Sequence, residues 1–181
     1  GGTTAAGMGH IVVMDDSEAQ FALTSWSQRL LDDILPGLPA SAEFERCGTL
    51  WVAEDEPQLE SARAKLSFYA SRGVHAELLD AGGLARAEPM LRPGLAGALR
   101  VPRDGVVYPP AVARWLLDEA TRAGATLREG VAVDAVHGRS VTTPGGRLEA
   151  GAVVNATGAA ASKFTPGLPI VPRKGHLVIT D

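Results

Sequence analysis

The sequence predicts an α/β fold of mixed (α+β) character, in which helices and strands alternate and antiparallel hairpins are set among them. Three observations carry that prediction. Apolar residues recur at helical spacing in three separate stretches, near 19–34, 57–72 and 109–124. Short runs of strand-forming character lie between and after them. Pro144-Gly145-Gly146 separates two short strand-like runs as a hairpin turn would, so the sheets are expected to be mixed rather than purely parallel.

Taken in order, the chain opens on GGTTAAGMGH, a glycine-rich, hydroxyl-bearing loop, followed by the short apolar run HIVVM. Asp15-Asp16-Ser17-Glu18 reads as a helix start, with Asp15 as N-cap and Glu18, three residues on, completing a capping box. Ala19, Leu23, Trp26, Leu30 and Ile34 then follow at helical spacing, so that face is expected to be core and Trp26 a packing residue. Pro36-Gly37 ends this helix. Residues 44–53 read as a strand with Gly48 as a bulge. A helix over 57–72 presents Leu59, Ala62, Leu66 and Tyr69 on one face and stops at Gly73. A short strand at 76–79, at most a short helix at 84–88, and a strand at 97–102 come next, then the turn Arg103-Asp104-Gly105.

Pro109-Pro110 suits the first turn of a helix whose buried stripe is expected to be Val112, Leu116, Ala120 and Ala123, closed by Gly124. Residues 125–136 alternate like a strand, 140–143 and 147–149 form the hairpin arms, 151–157 read as a buried strand, and 170–181 supply one or two more. The chain starts in a loop with no strand before it and stops inside the strand-like run HLVITD, which leads to the expectation of an internal segment, truncated at both ends, of a longer enzyme.

Composition sets bounds on partners. With 181 residues, 45% hydrophobic and 21% charged, the chain is an ordinary globular sequence, and a net charge of -4 argues against nucleic acid. The lone Cys47 cannot form an intramolecular disulfide, and no His or Cys pair has metal-ligand spacing, so no metal is expected. There is no signal peptide and no run long enough for a transmembrane segment, which makes a cytoplasmic location the expectation.

Two small-residue turns carry the chemistry. GGTTAAGMGH at the start and GAVVNATG (151–158) far downstream are what a dinucleotide-sized cofactor needs where it touches a fold at several places. In the second, Val153 and Val154 form a strand interior and the polar turn lies at its C-terminal end, where open α/β sheets bind ligands. The usual strand followed by G-x-G-x-x-G is absent. Either turn alone is also compatible with a tight connection that binds nothing.

VVNATGAAA resembles the second flavin-contacting motif of the D-amino-acid oxidase superfamily of FAD enzymes, an apolar strand followed by Asn-Ala-x-Gly-Ala-Trp. GGTTAAGMGH resembles the segment after the first βαβ unit in glycine oxidase and its relatives, where Thr/Ser-Ala-Ala-Gly-Met lines pyrophosphate and flavin. Cys47-Gly48-Thr49-Leu50 resembles the Gly-Gly strand of the family's substrate domain, and DGVVYPPAVARWL its Asp-Gly-x-x-x-Pro approach to the helix that returns to the FAD domain. VAVDAV looks like the strand whose backbone clamps adenine. The resemblance covers essentially the whole chain, in the family's order. GMGHIVVMDDS with PRKGHLVITD looks closest to subunits of hydrogen cyanide synthase or hydroxyproline dehydrogenase.

The resemblance implies FAD as cofactor, with Thr3, Thr4, Ala5, Ala6, Gly7, Met8, Val133, Ala156, Thr157 and Gly158 as its contacts. It implies a partial FAD-binding Rossmann-like domain, at 1–40 and 104–165, interleaved with a mixed-sheet substrate-binding domain, at 41–103 and 166–181. Ala160 stands where many relatives have Trp, which changes the wall behind the flavin. The implied reaction is oxidation of the CH–NH bond of a small amino or imino acid (D-hydroxyproline, D-proline, sarcosine or glycine) by hydride transfer to flavin. Electron-transfer partner subunits and a homo-oligomer are compatible with it. The alternatives are an FAD-dependent 2-hydroxy-acid or glycerol-phosphate dehydrogenase, and a non-catalytic α/β binding module.

Among the histidines, His10, directly after the first loop, and His176, after Lys174-Gly175, are the candidates to face substrate. His75 and His137 lie in polar turns and are expected to be solvated. No general base and no nucleophile elbow is evident, so no catalytic residue is assigned; hydride transfer from a neutral amine needs little base help.

Overall fold

A three-stranded antiparallel sheet is the centre of the first of two units, Gly1–Ala125 and Thr126–Asp181, in the computed structural model, which describes residues 2–171, 173 and 175. In chain order the first unit holds α1 (Thr3–Ala6), β1 (His10–Ile11), α2 (Glu18–Ile34), β2 (Thr49–Ala53), α3 (Glu56–Ala70), β3 (Glu77–Asp80), α4 (Ala81–Ala87), β4 (Gly97–Val101), β5 (Gly105–Val106) and α5 (Pro109–Arg122). The strand order of the sheet is β2-β4-β3, with Trp51 opposite Leu99 and Leu78 on its other side. A separate two-stranded ribbon pairs β1 with β5.

Alternation along β4 sends neighbouring residues to opposite faces. Leu99 and Val101 join Ala53, Val13 and the α3 residues Leu59, Ala62 and Tyr69 in one core. Ala98 joins Leu84 of α4 and Leu95 in the other, with Leu50 packed against it. Burying each large apolar side chain contributes about 1.5–3 kcal/mol, so these two layers are what hold the unit together.

Helix α3 follows its sequence signals closely. Asp55 caps it by accepting from Gln58 N–H at 3.0 Å, and Gly73, at φ +73°, turns the chain as Val74 N–H bonds back to Tyr69 O at 3.0 Å. Asp80 caps α4 by accepting from Gly83 N–H at 2.6 Å.

Helix α2 departs from expectation at its start and on its face. Its N-cap is Ser17, which accepts from Gln20 N–H at 3.2 Å, while Asp15 instead pairs with Lys65 of α3. A partner fifty positions away thus takes the carboxylate that local spacing assigned to the cap. The inward side carries Phe21, Thr24, Gln28 and Leu31, and most of the expected core stripe lies outside, Ala19 together with Leu23 61%, Trp26 56% and Leu30 49% exposed, while Ile34 is half-buried. Hydrogen bonds explain the rotation: Thr24 accepts from Met14 N–H at 3.1 Å, and Gln28 reaches Asp104 at 2.8 Å.

Helix α5 runs as expected, and Ala125 N–H closes it on Ala120 O at 2.9 Å, but Leu116, Ala120 and Ala123 are exposed and Val112 is half-buried. The strand expected at 44–53 begins only at Thr49, after Gly48 at φ +77°, and Glu45 makes an isolated bridge to Val106.

The second unit holds the meander β6 (Ala135–His137), β7 (Ser140–Thr143) and β8 (Gly146–Glu149), followed by α6 (Ala161–Phe164). The hairpin at Pro144-Gly145-Gly146 stands where the sequence placed it. Of the strand expected over 125–136 only the end pairs, and 151–157 is not a strand: Val154 is 85% exposed. A strand exists only through its ladder, and among the described residues none pairs with this run. Most of 170–181, including His176, lies outside the described residues.

Candidate functional site

The opening loop is a single helical turn between two glycines. Gly2, at φ +70°, begins it; Ala5 N–H bonds to Gly2 O at 3.1 Å and Gly7 N–H to Thr4 O at 3.4 Å. Thr3, Thr4, Ala5, Ala6, Gly7 and Met8 are all exposed, Met8 at 60%. The loop therefore offers a low, open surface with two hydroxyls and one thioether.

Gly9 pins its far end. It has φ +72°, and a Cβ there would lie 1.9 Å from the Val107 carbonyl oxygen, so only glycine fits. Val107 N–H donates to Gly9 O at 2.9 Å, after which His10 pairs with Val106 and Ile11 with Gly105. His10 is exposed at the loop's exit.

Under this ribbon lies a residue that the sequence marked only as part of a turn. Asp104 is fully buried, and its Oδ1 accepts from Val13 N–H at 3.2 Å and from Gln28 Nε2 at 2.8 Å. The same Gln28 amide donates to Ile11 O at 3.3 Å, and Tyr69 Oη donates to Val13 O at 3.1 Å. Asp104 Oδ2 is buried without a hydrogen-bond partner. Burial pushes this carboxyl above the usual range, partly offset by the Thr49 side chain and by the hydrogen bonds from Val13 and Gln28. The one local signal for this role was the Asp-Gly pair itself, which ordinarily marks a solvated turn.

In the second unit, the NATG turn is organised by Asn155. Its Nδ2 donates to Ala161 O at 2.9 Å and to Thr165 Oγ1 at 2.7 Å, while its Oδ1 accepts from Thr157 Oγ1 at 2.8 Å and Thr157 N–H at 3.3 Å. Both Thr157 donors are thus turned inward to Asn155. Ala156, Thr157 and Gly158 are exposed, Gly158 at φ +58° with open space where a Cβ would stand. Val133 is half-buried in the unpaired stretch before β6. Residues 3–8 belong to the first unit, and Val133 and 156–158 to the second.

Each turn, taken by itself, leaves room for the phosphate and hydroxyl groups of a dinucleotide. Both turns are exposed and poor in side chains, both contain left-handed glycines whose Cβ would meet nothing, and the first adds free-standing threonines. Among the described residues no group of three or more His, Cys, Asp or Glu could hold a metal ion, and no helix is long and apolar enough to cross a membrane.

The family model described as FAD dependent oxidoreductase matches residues 1–181. A D-amino acid dehydrogenase of Xanthobacter autotrophicus is 31% identical over 176 residues, which is 88% of this chain and 42% of that protein. Glycine oxidase from Geobacillus kaustophilus superposes with a TM-score of 0.79 at 28% identity, over 90% of this chain and 47% of that one. L-proline dehydrogenase from P. horikoshii shares the fold, with a TM-score of 0.75 at 22% identity over 83% of this chain and 41% of that one. The chain thus spans a little under half the length of the relatives it matches.

Proposed function

The chain belongs to the family of FAD-dependent oxidoreductases, whose model it matches throughout, and from that premise we propose that it forms part of an enzyme oxidising the CH–NH bond of a small amino or imino acid. The observation that carries this reading is the open Gly2–Gly9 loop, locked at Gly9 onto Val107 and bare of bulky side chains. Likeness to a D-amino acid dehydrogenase and to glycine oxidase supports the amine substrate class. D-hydroxyproline, D-proline, sarcosine and glycine are the candidates.

When bound, FAD supplies the hydride acceptor. This chain's residues contribute position and environment. Thr3 and Thr4 offer hydroxyls to the pyrophosphate, Ala5 to Gly7 let the backbone come close, and Met8 provides an apolar edge toward the flavin ring. Within the second unit, Val133 and the Ala156–Gly158 turn are our candidates for cofactor contacts in their own right, and in the first unit His10 is the candidate to face the substrate. In this reading 1–40 and 104–165 serve the cofactor, and 41–103 with 166–181 the substrate. With the amine held neutral, no strong base would be asked of this chain's residues.

The test uses the complete reading frame that carries these residues, mixed anaerobically with each candidate substrate while the visible flavin band is followed. Bleaching by one of them is the expected result. A yellow protein that bleaches with a 2-hydroxy acid or glycerol phosphate instead rejects the amine reading, and a colourless protein with no affinity for FAD rejects the cofactor.

A further inference from the structure

Asp104 joins three elements. Its backbone carbonyl accepts from Gly48 N–H at 2.9 Å, which fixes the approach to β2. Its side chain grips Val13 and, through Gln28, both α2 and Ile11. The β1–β5 ribbon directly after it has only two residue pairs, His10 with Val106 and Ile11 with Gly105. Even with Val107 N–H on Gly9 O and the Glu45–Val106 bridge beside it, so short a ladder is marginal by itself. The carboxylate extends the grip two residues past the end of that ladder, onto Val13.

A charged acceptor binds an N–H roughly twice as strongly as a neutral one, yet here it is buried with Oδ2 unpartnered. A turn that needed only shape would be served by a neutral side chain without this cost. The cost falls where the chain leaves the open loop, and local rules are broken most often where a site must be held rigid.

We infer that Asp104 is the positioning residue of the Gly2–Gly9 loop: through Val13 and Gln28 it holds β1 in register on β5 and so fixes where the loop and His10 stand relative to the three-stranded sheet. The inference rests on the flavin reading of that loop for its consequence, and on geometry alone for the positioning itself.

The experiment compares D104A, D104N and L84A in the complete protein, reading FAD affinity and amide hydrogen exchange. Leu84 packs from α4 into the other core, against Leu95 and Ala98, so L84A destabilises the fold without touching the ribbon. D104A is expected to weaken FAD binding about tenfold or more, while L84A, however much it lowers Tm, leaves that affinity unchanged. D104N keeps an oxygen acceptor for Val13 and Gln28 but loses the charge that strengthens both hydrogen bonds, and is expected to fall between the wild type and D104A. Where D104A does not fold, Q28L breaks the Ile11 link with Asp104 intact, and it moves affinity in the same direction. Wild-type affinity in D104A or Q28L, or an equal loss in L84A, overturns the inference. A wild-type protein without FAD affinity overturns the flavin reading instead, and exchange then decides the positioning role. Exchange at residues 9–13 is expected to accelerate about tenfold in D104A and not in L84A; unchanged exchange overturns it.

Discussion

The Tyr69 hydroxyl donates to the Val13 carbonyl at 3.1 Å, tying the last turn of α3 to the chain two residues past β1. Both residues are fully buried, so neither group has water as a substitute. Burial, with the nearby carboxylates Asp15 and Asp104, pushes the phenol well above its ordinary range, so it stays a donor at every working pH. Y69F is expected to cost about 1–2 kcal/mol, because the Val13 carbonyl is left buried and unsatisfied while the ring's packing survives. Urea unfolding checks it through a lower midpoint at unchanged slope.

Asp32, on the last turns of α2, receives Arg46 at 2.8 Å and also pairs with Arg103. The Arg46 hydrogen bond, with the Arg103 charge, holds its carboxyl below the ordinary value of 3.8. A depressed carboxyl stabilises the fold fully above the unfolded value, and that contribution is lost as pH falls through the lower, folded one. D32N is therefore expected to lower stability by about 1 kcal/mol at neutral pH, with a difference that closes in acid below the ordinary value and shrinks in high salt. Melting curves of the two proteins across acidic pH are the measurement. Asp104 has the opposite sign: its raised pKa means that protonation favours the fold as pH falls through the folded value.

Gly7 and Gly9 sit two residues apart in the same loop and are not equivalent. At Gly7 a Cβ would make ordinary contacts, 3.6 Å to Thr4 O and 3.7 Å to Thr3 O. At Gly9 it would collide with the Val107 carbonyl, in a left-handed conformation that L residues resist. G9A is expected to cost at least about 2 kcal/mol and to release β1 from β5, while G7A leaves stability near wild type. Thermal melts of the pair separate backbone strain from any effect on ligand contact, which G7A alone reports.

The exposed stripe of α2, with Leu23, Trp26 and Leu30, makes a large apolar surface on one helix. Such a surface associates in water. The 181 residues produced alone are expected to self-associate, and L23Q/W26Q/L30Q to reduce that association without loss of helix content. Sedimentation velocity over a concentration series reads it, and a monodisperse wild-type chain would sink the prediction.

Legibility in the sequence followed the range of the forces involved. Helix α3 could be read because its cap, its apolar face and its terminating glycine all lie within the helix or beside it. The hairpin at 144–146 was legible for the same reason. Local spacing assigns Asp15 to the cap because its partner, Lys65, is distant in sequence, and it shows Asp104 only as a turn residue because Gln28 is distant too. Periodicity located the α2 stripe but could not say what covers it. The run 151–157 has strand composition, yet a strand needs a neighbour's ladder and no described residue supplies one. Of the candidate site, the glycine-bounded loop and the NATG turn were readable as motifs; the buried supports beneath the loop were not.

Asn155 gives the last test, because its side chain makes the NATG turn and not merely a part of it. Four hydrogen bonds converge on one amide: two donated to Ala161 and Thr165, two accepted from Thr157. N155A removes all four and is expected to cost about 1–3 kcal/mol of local stability, seen as faster exchange of the Thr157 amide. N155D keeps the acceptor for Thr157 and loses both donations to Ala161 and Thr165, so it should protect the Thr157 amide while loosening both ends of α6. If instead N155D exchanges as fast as N155A at Thr157, the turn is held from the α6 side, and the Asn155 oxygen is a bystander. If neither variant changes exchange, backbone geometry at Gly158 is enough to make the turn.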